Sequence, residues 1–271
     1  VEQALLQVSA VLYAAAAFSL GLYVLTRREG FDRVGAAALV VGFLVQSVTV
    51  VLQLYRLGLP PAATLREGLS FLAWLLAGGS LLVGRGERWA AVGAIASPLS
   101  VAMIAASMVT GHGGRATVET GAWLRIHITL VLIGAAVFGI AFSLSVVYLI
   151  QERLLKRRQR GSLTSRLPSL EQLDRLNYRC LAYGFPLLSL GILSGGVWAV
   201  SKGDRFWAWD TLEVFSLLTW LIYGGLLQFR LTAGFRGKRA AALTIIAFGL
   251  VIASFLSVNL LPLPGRHGGS L

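Results

Sequence analysis

Three histidines, seven tryptophans and one cysteine are the side chains of this 271-residue sequence with chemistry beyond packing. The histidines are His112, His127 and His267, and four of the tryptophans, Trp198, Trp207, Trp209 and Trp220, stand close together. Imidazole nitrogen ligates iron and indole faces stack on flat rings, so haem is one ligand that suits the combination. Its carboxylates would suit Arg125, Lys202, Arg205 and Arg266, which lie near these groups in sequence. Loop histidines with no ligand and a tryptophan belt at a membrane interface account for the same residue types. Asp210 and Glu213, three apart at a helix start, also form a capping box, whatever else they do. The lone Cys180 excludes an intrachain disulfide or a redox pair and reads as a small packing residue. No metal cluster, phosphate loop or embedded Ser/His pair stands out, so an independent enzyme is not expected.

The elements that must position these residues are membrane spans. Charged residues are 13% of the chain, about half the roughly 25% of a soluble domain, and hydrophobic residues are 56%. Eight apolar segments approach or exceed the roughly 20 residues needed to cross a bilayer. They cover about 4–26, 34–55, 68–84, 89–109, 122–150, 178–200, 211–229 and 240–261, the third being short and interrupted by Gly78 and Gly79. The expected fold is all-α, a single polytopic domain over 1–271 with eight transmembrane helices.

Basic residues orient it. Seventeen of the 24 Lys and Arg fall in the loops 27–33, 85–88, 151–179 and 230–239 or at their edges, and seven on the other side. The positive-inside rule then puts both termini outside and the basic loops in the cytoplasm. The net charge of +12 is mainly this label, which removes the case for a nucleic-acid partner. All three histidines fall on or near the outer side, with His127 about 8 Å into the fifth span. No histidine lies at mid-membrane, as a b-type cytochrome would need. Within the cytoplasmic loop 151–177, leucines 167, 170, 173 and 176 and a Ser169/Gln172 capping box predict a short amphipathic helix over 170–177 on the inner lipid surface, running into the sixth span. The preceding basic run 156–160 suits anionic lipid of the bilayer.

Several motifs then combine. Trp207-Ala208-Trp209-Asp210-Thr211-Leu212-Glu213 with Leu218-Thr219-Trp220, Gly195-Gly196-Val197-Trp198-Ala199, Trp123-Leu124-Arg125-Ile126-His127 and Gly265-Arg266-His267-Gly268 occur in one chain. Together they resemble the tryptophan-rich cytochrome c assembly superfamily of haem-handling membrane proteins, in its CcsA/HemX-like branch. The resemblance implies haem b held at the outer face of a bacterial cytoplasmic (inner) membrane. His127 and His267 would be the axial ligands of the iron. Trp207 and Trp209 would stack on the ring, Trp198 and Trp220 would support them, and Asp210, Arg125 and Arg205 would complete the site. The outer segments 110–121, 200–211 and 262–271 would surround it.

In this family such a chain works in cytochrome c maturation, as a subunit of a haem-attachment (cytochrome c synthetase) complex. A CcsB-like membrane partner and apocytochrome c are then implied. The chain departs from the family at Lys202, at Thr211-Leu212, and at Gln228, where CcsA members place a histidine. Those departures and Leu65-Arg66-Glu67-Gly68-Leu69 also resemble HemX, a membrane regulator of haem biosynthesis acting on the level of glutamyl-tRNA reductase. Its contact with that enzyme would be at the cytoplasmic face.

Overall fold

A computed structural model describes residues 2–26, 28–57, 64–83, 90–110, 122–156 and 167–260. Every regular element among them is a helix: α1 (Glu2–Thr26), α2 (Glu29–Leu57), α3 (Leu65–Val83), α4 (Ala90–Val109), α5 (Ala122–Lys156), α6 (Leu170–Ser201), α7 (Thr211–Thr232) and α8 (Lys238–Leu260). Each apolar segment read from the sequence corresponds to one of them. Seven, α1 to α7, have described stretches long and apolar enough to cross a membrane. In α8 the side chains are described only to Ser254, which leaves too short a stretch to count. The chain is a polytopic helical membrane protein.

The helices alternate in direction, so the starts of the odd-numbered helices and the ends of the even-numbered ones share one end of the bundle. Glu2 and Arg56 form an ion pair there at 2.6 Å. α1 to α4 form one lobe around Leu6, Tyr13, Ala73, Ala77 and Ile104. Hydrogen bonds join its helices: the Tyr13 hydroxyl donates to Gln46 Oε1 at 2.6 Å, and Gln46 Nε2 donates to the Ser70 carbonyl at 2.9 Å. Trp74 stacks between Phe43 and Phe71 with ring centroids 5.3 and 5.6 Å away. In lipid such packing and polar contacts replace the hydrophobic drive between helices. The Gly78-Gly79 interruption does not break α3. A Cβ at Gly78 would lie 2.7 Å from the Phe43 ring, and one at Gly79 would lie 3.2 Å from Ile140. The absent side chains are what let neighbouring residues close on this helix.

The second lobe is α5 to α8. Its core runs from Leu132 and Phe138 to Tyr223, Leu226, Ala247 and Val251. Phe138 and Tyr223 stack face to face, with centroids 3.8 Å apart. α5 and α6 are the longest helices, at 35 and 32 residues. Ser169 and Gln172 form the expected capping box at the start of α6. The amphipathic turns over 170–177 run into the sixth span as expected, as the first turns of α6, but they do not lie on a lipid surface. Leu167 and Leu173 are buried against Leu76, Leu144 and Val147, so the apolar stripe meets protein rather than lipid. Beside it, the Arg230 guanidinium donates to Asp174 Oδ1 at 2.9 Å and to Asn177 Oδ1 at 3.0 Å. Asn177 Nδ2 donates in turn to the Ala141 carbonyl and to Ser145 Oγ. The Gly237 amide also donates to Asp174. This network ties α5, α6, α7 and the turn before α8 together at the end opposite the tryptophan loop.

Candidate functional site

The second turn of α5 carries His127 against the last three turns of α6. His127 Nδ1 lies 2.7 Å from the Gly191 carbonyl oxygen and 3.4 Å from Ser194 Oγ. A carbonyl can only accept, so the proton is assigned to Nδ1 and the ring lone pair to Nε2. A backbone carbonyl that fixes the tautomer and orientation of an imidazole is the usual support of a metal-ligating histidine. Ser194 Oγ donates to the same carbonyl at 2.9 Å, which orients both. Gly195 makes the approach possible: a Cβ there would lie 2.8 Å from His127 Cε1 and 3.0 Å from Nδ1. Gly196, one residue on, seats the ring of Phe206, which a Cβ would overlap.

Between α5, α6, α7 and α8 lies a cavity of about 340 Å³, within the range of small-molecule sites. Its walls are mainly apolar, among them Leu124, Val131, Phe138, Leu188 and Val251. His127, Trp198, Phe206, Trp207 and Glu213 line it as well. The indole Nε1 atoms of Trp198 and Trp207 are buried and have no hydrogen-bond partner among the described residues. A buried donor left unmade costs about 1–3 kcal/mol.

The loop that closes the cavity runs from α6 to α7. Its first residues turn back on α6: the amides of Lys202 and Asp204 donate to the Ala199 carbonyl, and that of Gly203 to Val200. Asp210 is the N-cap of α7, accepting from the Glu213 amide at 2.8 Å. Glu213 does not close the reciprocal half of the capping box on Asp210. Its Oε2 reaches further back, to the amides of Ala208 at 2.6 Å and Trp209 at 2.7 Å. Trp209 has φ +61°, which non-glycine residues rarely adopt.

The residues expected at the site divide accordingly. His127, Trp198 and Trp207 come together on the cavity. Trp209 meets Trp207 edge-on, with centroids 5.9 Å apart, but it does not line the cavity and is 70% exposed. Trp220 is turned to packing: its Nε1 donates to Ser189 Oγ at 2.9 Å and its ring tilts against Phe185. Asp210 acts as a cap, and Arg125 and Arg205 are exposed, each next in sequence to a residue of the cavity wall, Leu124 and Phe206. Gln228 is exposed on α7, two residues before Arg230. His267 and His112 lie outside the described residues, as do residues 111–121 and 261–271 of the outer segments. The Gly191 carbonyl, Ser194 and Phe206 were not among the expected site residues. The Gly195-Gly196 pair was a signal that two rings seat here, since adjacent glycines late in a span mark close approach.

The sequence profile described as Cytochrome C assembly protein matches residues 62–263, from just before α3 to beyond α8. The chain belongs to the cytochrome c assembly protein family. Family membership covers all four helices around the cavity, and α1 and α2 lie before the matched region. Among relatives, the Cytochrome c biogenesis protein CcsA of Synechococcus elongatus is 28% identical over 280 residues, covering 86% of each chain. The protein of the same name from Prochlorococcus marinus (strain NATL1A) is 31% identical over 243 residues, covering 78% of this chain and 77% of that one. Of the two branches raised by the sequence, these relatives carry the CcsA name. A solved structure of Cytochrome c Heme Lyase CcmF superimposes on 98% of this chain with a TM-score of 0.65 at 16% identity, a likeness of fold. This chain spans about half (52%) of that protein's length.

Proposed function

We propose that this protein binds haem in the α5–α8 cavity and presents it for attachment to apocytochrome c. The observation that carries the proposal is His127: an imidazole with Nδ1 committed to the Gly191 carbonyl, on the wall of an apolar cavity closed by the tryptophan loop. Bound there, haem b supplies an iron that accepts imidazole and a flat apolar ring that displaces water from the walls. Trp207 and Phe206 form the lid. His267 is proposed as the second axial ligand. Trp209 and the exposed Arg125 and Arg205 then belong to the rim rather than the floor. The sign of the loop charges supports an extracytoplasmic cavity in a bacterial inner membrane. A membrane partner of the CcsB kind is proposed to hold the apocytochrome.

The test is spectroscopic. The full-length protein, purified in mild detergent, is expected to show a reduced low-spin haem band. The band should be lost in His127→Ala and in His267→Ala while helical content is kept. Retention of an unchanged band in His127→Ala would refute the assignment, as would the absence of any spectral change on adding haem to the wild-type protein.

A further inference from the structure

We propose that Glu213 is a positioning residue: its carboxylate clamps the tryptophan loop over the cavity and so sets Trp207 in its wall. The proposal rests on the haem reading of that cavity. The two halves of the loop are held differently. The first half is fixed by backbone hydrogen bonds from residues 202–204 to the end of α6. Phe206 is seated on Gly196. Beyond that point the amides of Ala208 and Trp209 both converge on one oxygen, Glu213 Oε2. Successive amides turned to one side form a concave anion site, here filled by the protein's own carboxylate.

The backbone at Trp209 makes the clamp necessary. At φ +61° a tryptophan stays only while its surroundings hold it. Ala208 and Trp209 are exposed, so water would satisfy their amides once Glu213 let go. The loop would then relax at little desolvation cost, and Trp207 would leave its place edge-on to Trp209. Glu213 also lines the cavity, so the group that holds the lid borders the space the ligand fills. A simpler role for a carboxylate in the first turn of α7 is to complement the positive end of the helix. The two roles differ in what they require: the clamp needs reach and an acceptor oxygen, whereas the helix end needs only negative charge.

Three variants separate them. Glu213→Gln keeps reach and acceptor but not charge, Glu213→Asp keeps charge but is one methylene shorter, and Glu213→Ala keeps neither. Trypsin cleavage at the exposed Lys202 and Arg205 in detergent, without haem, reads the loop directly. Haem titration followed by absorbance reads the cavity. The clamp predicts that Glu213→Gln stays within about threefold of wild type in both, while the Asp and Ala variants cleave about tenfold faster and bind haem about tenfold more weakly. Wild-type behaviour of Glu213→Asp with an impaired Glu213→Gln would overturn it in favour of helix charge. Equal cleavage in all four proteins would overturn it too. Should Glu213→Ala fail to fold, the Gln and Asp variants decide alone. If wild type takes up no haem, the cavity reading fails, while the order of cleavage rates still judges the clamp.

Discussion

Replacing Gly195 by alanine tests whether the support of His127 matters to the ligand more than to the fold. The new Cβ would lie 2.8 Å from His127 Cε1, whereas ordinary contact begins near 3.4 Å, so the ring must recede by about 0.6 Å. That is enough to carry the 2.7 Å bond from Nδ1 to the Gly191 carbonyl to the edge of hydrogen-bond range. Loss of the bond costs about 0.5–1.5 kcal/mol. Alanine in place of a helical glycine returns about 0.5–1 kcal/mol, so the melting temperature should barely move. Binding should respond differently, because disturbing the outer-sphere partner of a ligating histidine typically lowers metal affinity about 10–100-fold. Haem titration and thermal unfolding in the same detergent are to be compared with Gly225→Ala, where nothing lies within 4 Å of the added methyl. Wild-type haem affinity in Gly195→Ala would refute the reasoning. So would a loss of affinity explained by an equal loss of stability.

Other outcomes follow from the same geometry. Asp174→Ala leaves the Arg230 guanidinium, with its side chain only 4% exposed, short of its counter-ion. It should lower unfolding stability in detergent by about 3 kcal/mol; a change below about 1 kcal/mol would show the pair to be solvated. Thr49 is fully buried and its hydroxyl has no hydrogen-bond partner among the described residues. The same-shape change Thr49→Val should therefore leave the thermal midpoint unchanged or raise it, and a clear drop would mean the hydroxyl is hydrogen-bonded. Gln228→Ala, on an exposed face at the end of α7 remote from the cavity, should leave the haem spectrum as it is in wild type.

The helices were legible because a bilayer imposes a length, and apolar runs of that length are hard to mistake. The caps at Ser169 and Asp210 were legible because a cap is a local pattern, complete within four residues. Contacts between distant positions were not. Nothing in the spacing pairs His127 with the Gly191 carbonyl, 64 positions away, since a carbonyl belongs to every residue. Arg230 and Asp174 stand 56 apart, and their meeting depends on how α6 and α7 align. The leucines over 167–176 show an apolar stripe, but a stripe does not say whether lipid or protein covers it. The reach of Glu213 past Asp210 depends on the left-handed backbone at Trp209, which a tryptophan codon gives no reason to expect. That same turn is why two tryptophans read as equivalent stackers ended up with one in the cavity wall and one outside.

The length of α5 sets a limit on how the protein can sit. At 1.5 Å per residue its 35 residues measure about 52 Å, and the 32 of α6 about 48 Å. The hydrocarbon layer is about 30 Å thick, and a typical tilt near 20° leaves almost 20 Å of α5 unaccommodated. His127 is only about 8 Å from the start of α5, so most of the surplus falls at the other end. At that end the first turns of α6 are packed against α5, the end of α7 and the turn before α8. Asp174 lies about 40 Å along α6 from Ser201, beyond the apolar layer, where its ion pair with Arg230 is covered by protein rather than by lipid tails. That end of the bundle is thereby carried clear of the lipid surface, on a support that a soluble protein could grip without touching the membrane.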